Sequence, residues 1–198
     1  MDARLTDYAD VQAGHPFRGS VPGDPDGNAH VLQMRDVSPE GVADWNALTR
    51  TLLGNTKNVV WLKSGDIVFV ARGQRNYAVY LQETPVPAVC SQYFFLLRVR
   101  SPALLPEFLA WQINRAPAQR YLNKNAEGSD QLSIRRGVLE SLPIAVPPLE
   151  QQHRIIALAR DAISERQVLK TMMLNREQQL DVLAFDLFSN HSNIGNQP

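Results

Sequence analysis

The sequence has 198 residues, of which 44% are hydrophobic and 20% charged, an ordinary composition for a globular protein. It has no apolar run long enough to span a membrane, and its first residues lack the apolar core of a signal peptide, so we expect a cytoplasmic protein. Its 20 basic residues balance its 20 acidic ones, and its single cysteine, Cys90, excludes an internal disulfide.

The charge distribution leaves nucleic-acid binding open. Acidic and basic residues nearly balance on both sides of Pro147, whereas nucleic-acid-binding domains are usually basic. The basic residues before Pro147 are mostly arginine. Arginine matches the geometry of phosphate and guanine, but it serves equally well in ordinary ion pairs. Composition alone therefore slightly disfavours DNA binding without excluding it.

Short β-like runs alternate with Gly- and Pro-containing turns in the first part of the chain. Val31–Val37, Asp66–Arg72, Tyr77–Leu81 and Gln92–Val99 are rich in apolar and β-branched residues and are predicted strands. Residues 73–76, between the second and third of these runs, predict a hairpin loop.

Short helices follow the last predicted strand. Pro106 favours a helix start, and residues 107–114 carry an amphipathic pattern. Residues 118–124 and 135–141 predict further helical segments, and residues 142–146 predict an extended piece. Mixed strands and helices without βαβ repetition indicate an α+β domain over residues 1–147.

The rest of the sequence predicts a single long coiled-coil helix. A helix cannot run through Pro147-Pro148 from the preceding residues, so a helix in this region begins after them. No Gly or Pro then occurs before Gly195. Apolar residues recur at alternating spacings of four and three, the heptad pattern of a coiled coil, interrupted by Arg166 and Arg176. The seam consists of Ile155, Ala159, Ala162, Leu169, Met173, Leu180, Leu183 and Leu187. We expect the helix over residues 148–188 and a disordered tail over residues 189–198.

The apolar seam needs a covering surface, and a second helix is its natural partner. We therefore expect the seam residues to form the interface of a homodimer. The alternative is that the helix folds back on its own domain.

No pattern of catalytic or metal-ligating residues occurs in the sequence. His15, His30, His153 and His191 are scattered, and none has a metal-ligand spacing to Cys90 or to a carboxylate pair. There is no Gly-rich phosphate loop, no nucleophile elbow and no adenine-methyltransferase motif of the Asn-Pro-Pro-Tyr type. We expect no catalytic activity, no metal and no cofactor.

Three polar loops carry side chains suited to DNA. Residues 72–76 combine Arg, Gln and Asn, whose hydrogen-bonding groups match guanine and adenine edges in the major groove. Residues 14–20 and 124–131 form two further loops, and the alternative for all three is that they only face water. The candidate DNA-binding residues are Arg18, Arg35, Arg72, Gln74, Arg75, Asn76, Lys124, Ser129 and Gln131. Of these, we expect Arg72, Gln74, Arg75 and Asn76 to include base-reading residues and Arg18 and Lys124 to contact phosphates.

The order of segments resembles the target-recognition domain of type I restriction–modification specificity subunits. The resemblance begins at Leu5–Gly14 and continues through the predicted strands and the helix at Pro106. It is most specific at residues 142–155, where Pro147-Pro148-Leu149-Glu150 and the glutamines after it are similar to the family's junction between domain and coiled coil. The similarity extends over nearly all of residues 5–188.

The resemblance implies a non-catalytic DNA-specificity subunit that holds methyltransferase subunits, and through them restriction subunits, on a bipartite target. Methyl donor and ATP would belong to those partners. Family members usually carry two recognition domains and two long helices, whereas this sequence has one of each. The resemblance therefore implies a half-length form that restores the arrangement as a homodimer or by pairing with another half. Two alternatives remain: a similar DNA reader in another phage-defence system, and a coiled-coil scaffold that reads no bases.

Overall fold

The computed structural model describes residues 3–54, 59–128 and 131–194, with side chains described as far as Phe188. The chain divides into two compact units, Met1–Ile156 and Ala157–Pro198. The first unit contains all the strands of the described residues and the start of the last helix; the second is the continuation of that helix.

Most strands are short, as expected for a domain punctuated by Gly and Pro. The strands are β1 (Ala3–Arg4), β2 (Ala9–Ala13), β3 (Ala29–Leu32), β4 (Val37–Ser38), β5 (Gly41–Val42), β6 (Thr49–Thr51), β7 (Ile67–Val70), β8 (Arg72–Gly73), β9 (Ala78–Tyr80), β10 (Ala88–Cys90), β11 (Phe94–Val99), β12 (Leu132–Ser133) and β13 (Pro143–Ile144). The helices are α1 (Leu5–Tyr8), α2 (Pro106–Ile113), α3 (Ala116–Asn125), α4 (Arg136–Glu140) and α5 (Leu149–Ile194), with a 3-10 turn at Met34–Asp36.

A four-stranded antiparallel sheet in the order β2-β11-β7-β9 forms the centre of the first unit. A three-stranded sheet, β10-β3-β6, contains the parallel pair β10-β3 and the antiparallel pair β3-β6. Three two-stranded pairs complete the strand pairing of the described residues: β1-β13, β12-β8 and β4-β5.

The central sheet is covered on both faces. Along β7, Ile67 and Phe69 pack into a cluster with helices α2, α3 and α4, whereas Val68 and Val70 pack into a second cluster with residues of β3 and β10. All four residues are buried. Successive strand residues point to opposite faces, so a strand covered on both sides is apolar at every position.

The beginning of α5 is fastened to the first unit by one buried glutamine. Gln152 is fully buried, and its Oε1 accepts the N–H of Leu105 at 2.8 Å. Its Nε2 donates to the carbonyls of Ala103 and Pro147, both at 2.7 Å. The side-chain amide of Gln152 thus provides a partner for one main-chain N–H and two carbonyls, and an apolar side chain at this position would leave all three without that partner. Ile156 is buried in the core beside it.

The structure confirms the α+β class and corrects several boundaries. The predicted strand over 31–37 ends at Leu32, because the Asp36 carboxylate accepts the N–H of Gln33 at 2.8 Å and closes a turn instead. The expected disordered tail from residue 189 is wrong as far as Ile194, since α5 continues and no Gly or Pro stops it. The rest of that tail, residues 195–198, lies outside the described residues.

Candidate nucleic-acid interface

The antiparallel order of the central sheet gathers four strand ends on one side of the sheet. β2 and β7 end there, and β9 and β11 begin there: Ala13 is paired with Phe95, Val70 with Phe94 and Phe69 with Ala78. The loops that follow or precede these strands therefore meet. We call residues 14–18, 34–36, 71–76, 91–93, 127–128 and 131–133 together the loop cluster.

The segment after β2 is fixed to the segment before β11. The N–H of His15 donates to the carbonyl of Cys90 at 2.7 Å, and a side chain at Gly14 would collide with the carbonyl of Ser91. The Gln92 side chain then pairs with the main chain of Phe17: Oε1 accepts its N–H at 2.9 Å and Nε2 donates to its carbonyl at 3.2 Å. This pairing places Arg18 directly beside the segment that carries Tyr93.

The segment after β7 lies between residues 91–93 and strand β12. The carbonyl of Tyr93 accepts the N–H groups of Ala71 at 2.9 Å and Arg72 at 3.3 Å. β8 pairs with β12, placing Arg72 opposite Ser133. Ser133 in turn exchanges two main-chain hydrogen bonds with Glu127, at 3.0 and 2.8 Å. Three segments distant in the sequence are thus joined at Arg72.

The prediction that Asn76 reads a base does not agree with its position. Asn76 is only 4% exposed, and its Nδ2 donates to the carbonyl of Val70 at 2.9 Å. The side chain closes the loop from within, so it cannot reach DNA in this conformation. The loop is also not a free hairpin, because Arg72 and Gly73 pair with β12.

The 3-10 turn Met34–Asp36 adjoins the same surface. A Cβ on Gly73 would lie 3.6 Å from the Met34 sulfur, so this side chain is next to β8. Arg35 is exposed, donates to the Thr49 hydroxyl at 2.7 Å and lies 3.6 Å from the Asp36 carboxylate. Its charge is therefore partly compensated.

The other cations of the candidate set are exposed and uncompensated. Arg18, Arg72, Arg75 and Lys124 make no ion pair with any residue that the structure describes. Some acidic residues elsewhere form ion pairs, such as Asp66 with Arg98 at 2.7 Å and Asp10 with Arg100 at 2.9 Å. The balanced net charge thus conceals a local excess of positive charge, the property that attracts a polyanion.

The structure brings together most of the predicted polar residues by main-chain contacts. Gln74 and Gln131 are exposed in the loop cluster, and Lys124 lies just before it at the end of α3. Ser129 lies outside the described residues. Sequence reasoning did not single out Met34, Gln92 or Tyr93. Only Met34, an apolar residue between the polar Gln33 and Arg35, carries a sequence signal that could have indicated it.

The seam residues of α5 divide into two groups. Ile155 is half-buried and packs against the core of the first unit, and Ala159 is also half-buried. The remaining seam residues are exposed: Ala162, Leu169, Met173, Leu180, Leu183 and Leu187. Leu169, Met173, Leu180 and Leu183 expose 58–66% of their surface. Such an apolar stripe is typical of a helix that packs against another helix.

Two further findings concern the described residues only. No group of three or more His, Cys, Asp or Glu side chains in residues 3–54, 59–128 and 131–188 could hold a metal ion. In the same ranges, no helix combines the length and the apolar character that crossing a membrane requires.

Comparison with known proteins places this arrangement in a class. Residues 4–163 match the family described as Type I restriction modification DNA specificity domain. No curated protein matches the chain. This match covers most of the sequence and confirms the resemblance: the chain belongs to the type I restriction modification DNA specificity domain family.

Solved structures show the same fold. The S subunit of a Type-I restriction-modification system from M. genitalium has a TM-score of 0.55 and 16% identity over 84% of this chain and 39% of that chain. The HsdS subunit from Thermoanaerobacter tengcongensis has a TM-score of 0.59 and 20% identity over 84% and 38%. A chain from a structural study of assembly and conformational transition of the type I R-M system has a TM-score of 0.63 and 20% identity over 91% and 42%. The chain spans about two fifths of the length of these proteins.

Proposed function

We propose that this chain is a DNA-specificity subunit that reads one half of a bipartite target and directs methyltransferase subunits to it. The observation that carries the proposal is the loop cluster. Main-chain hydrogen bonds hold four separate segments of the chain together there. Arg18, Arg72 and Arg75 belong to two of these segments, are exposed and form no ion pair with a described residue. Cations fix a protein on the phosphate backbone, and Arg and Gln read base edges.

The division of roles follows the chemistry of the side chains. Arg72, Gln74 and Arg75 are the proposed base-reading residues, because they lie together in one exposed turn. Arg18 and Lys124, at the margins of the cluster, are proposed phosphate contacts, and Arg35 and Gln131 are the remaining candidates. Asn76 supports the turn from within.

The assembly proposed for the chain is a homodimer through α5. The exposed seam from Ala162 to Leu187 would be covered by the same seam of a second copy, antiparallel to the first. The pair would hold methyltransferase subunits, and through them restriction subunits, in the cytoplasm. The chain itself is proposed to be non-catalytic and to bind no cofactor.

Methylome sequencing of strains with and without the gene tests the proposal directly. We expect one bipartite adenine-methylated motif to disappear with the gene and to return when it is restored. An identical methylome in both strains would contradict the proposed function.

The second test asks whether the loop cluster itself reads the target. Replacing Arg72, Gln74 and Arg75 with Ala should abolish methylation at the motif. The matched control is Arg100→Ala: Arg100 is also exposed but lies beyond the opposite end of β11, a strand roughly 20 Å long. Methylation should survive that change. Loss with both variants, or with neither, would argue against this surface.

A further inference from the structure

Two exposed apolar side chains lie within the surface formed by the polar loops. Among described residues before Leu149, the exposed large apolar side chains are Met34, Leu52 and Tyr93, at 37%, 62% and 38% of their surface. Met34 and Tyr93 both belong to the loop cluster. Single exposed apolar residues are common on proteins, but two at one charged site call for a physical reason.

Both side chains belong to residues next to the turn proposed to read bases. Tyr93 accepts the N–H groups of Ala71 and Arg72 through its carbonyl. Those hydrogen bonds fix the main chain of Tyr93, and the Tyr93 side chain takes no part in them. The Met34 sulfur lies 3.6 Å from where a Cβ on Gly73 would be. An aromatic ring and a thioether therefore accompany Arg72, Gln74 and Arg75.

The charges nearby indicate which kind of partner these side chains meet. Arg18, Arg72 and Arg75 have no ion pair among the described residues, which favours a polyanion over an apolar protein surface. In the major groove of DNA, the apolar feature displayed by unmodified bases is the 5-methyl group of thymine. The polar ends of Arg and Gln side chains offer that methyl group no apolar contact, whereas the side chains of Tyr and Met do.

We propose that Tyr93 and Met34 contact thymine 5-methyl groups and are specificity-determining residues of this chain. The proposal rests on the function proposed above and adds a chemical preference to it: at one position or more of the half-site, thymine is read by its methyl group. This contact distinguishes thymine from cytosine, which lacks the methyl group.

Deoxyuridine substitution tests the methyl contact. The probe is a duplex carrying the motif identified by methylome sequencing, bound by the complex of this chain with its methyltransferase partner. Each thymine is replaced singly by deoxyuridine, which removes only the methyl group. For the wild type we expect a loss of about three- to fivefold in affinity at one thymine or more, the effect of one buried methyl group. Tyr93→Ala or Met34→Ala should abolish that sensitivity, whereas Tyr93→Phe and the control Leu52→Ala should retain it.

A measurement on the unaltered protein covers the case in which a variant fails to fold. 5-Iododeoxyuridine carries an iodine atom of nearly the size of the methyl group and crosslinks under ultraviolet light to adjacent Tyr and Met side chains. Mass spectrometry should find the crosslink on Tyr93 or Met34. Crosslinks only on other residues, or equal uridine sensitivity in the wild type and both Ala variants, would overturn the proposal. An unchanged methylome without the gene would instead overturn the proposed function.

Discussion

Gln92 and Phe17 are joined by two hydrogen bonds, in which the Gln92 side chain accepts the N–H of Phe17 at 2.9 Å and donates to its carbonyl at 3.2 Å. An amide side chain offers the same donor and acceptor as a neighbouring strand would. The loop after β2 is thereby fixed to a residue 75 positions later in the sequence, although the loop is not a strand. Arg18 follows this loop directly, so its position depends on Gln92.

Replacement of Gln92 should lower stability and DNA affinity together. In Gln92→Ala the main-chain groups of Phe17 lose both partners, at a cost of about 1–3 kcal/mol in the free energy of unfolding. DNA affinity should fall for all sequences alike, since Arg18 is no longer fixed. A double-mutant cycle measures the coupling: Arg18→Ala should cost less in the Gln92→Ala background than in the wild type. Strictly additive losses would show that Gln92 does not position Arg18.

Substitutions at Gln74 and Lys124 should separate base reading from phosphate binding. Gln74→Ala should relax specificity at one base position by about 1–3 kcal/mol. Lys124→Ala should weaken binding to every duplex and reduce the salt dependence, because one phosphate contact fewer releases fewer counterions. Salt titrations on matched and mismatched duplexes measure both effects, with Arg100→Ala as the control. A Gln74 variant with unchanged base preference would remove this residue from the proposed readers.

We expect the oligomeric state to depend on the apolar seam of α5. Leu169 and Leu180 expose 60% and 58% of their surface, and changing both to Asp should give a monomer in light scattering. The control pair is Thr171→Asp with Gln178→Asp, which adds the same charges to exposed polar positions off the seam. The control should dimerise like the wild type. A wild type that is already monomeric at tens of micromolar would contradict the dimer.

The sequence predicts the elements better than it predicts the interface. The buried run of β7, the helix that Pro106 begins and the long α5 follow from local apolar patterns and from the positions of Pro and Gly. The pairing of Arg72 with Ser133 does not, since it joins residues about 60 positions apart. The burial of Asn76 likewise depends on a contact with Val70 that no periodicity encodes. Met34 and Tyr93 become candidates only once their neighbours are known.

The thiol of Cys90 should be inert in the native protein and sensitive to alkaline pH. Burial raises the pKa of this thiol to about 12, from an ordinary value of 9.0. Because the folded-state pKa is the higher one, the contribution to stability is complete below pH 9 and is lost as the pH rises toward 12. Relative to Cys90→Ala, the wild type should lose about 1 kcal/mol between pH 8 and pH 10. Denaturant titrations measure this difference, and equal pH dependence in both proteins would show that the thiol titrates normally.

The last prediction concerns the distance between half-sites. A twofold dimer presents the same reading surface twice in opposite orientations, so its target should be an inverted repeat of short half-sites. If α5 is the spacer, inserting seven residues after Leu169 keeps the seam in phase and adds roughly 10 Å to each helix. The half-sites should remain unchanged, and the gap between them should grow by about three base pairs at ~3.4 Å each.

An insertion of five residues is the control for this prediction: it shifts the seam out of phase and should abolish methylation instead of moving it. Methylome sequencing reads both results. Half-sites unrelated by inversion would indicate that the second subunit is a different chain. A gap whose length does not change with the seven-residue insertion would mean that α5 does not set the spacing.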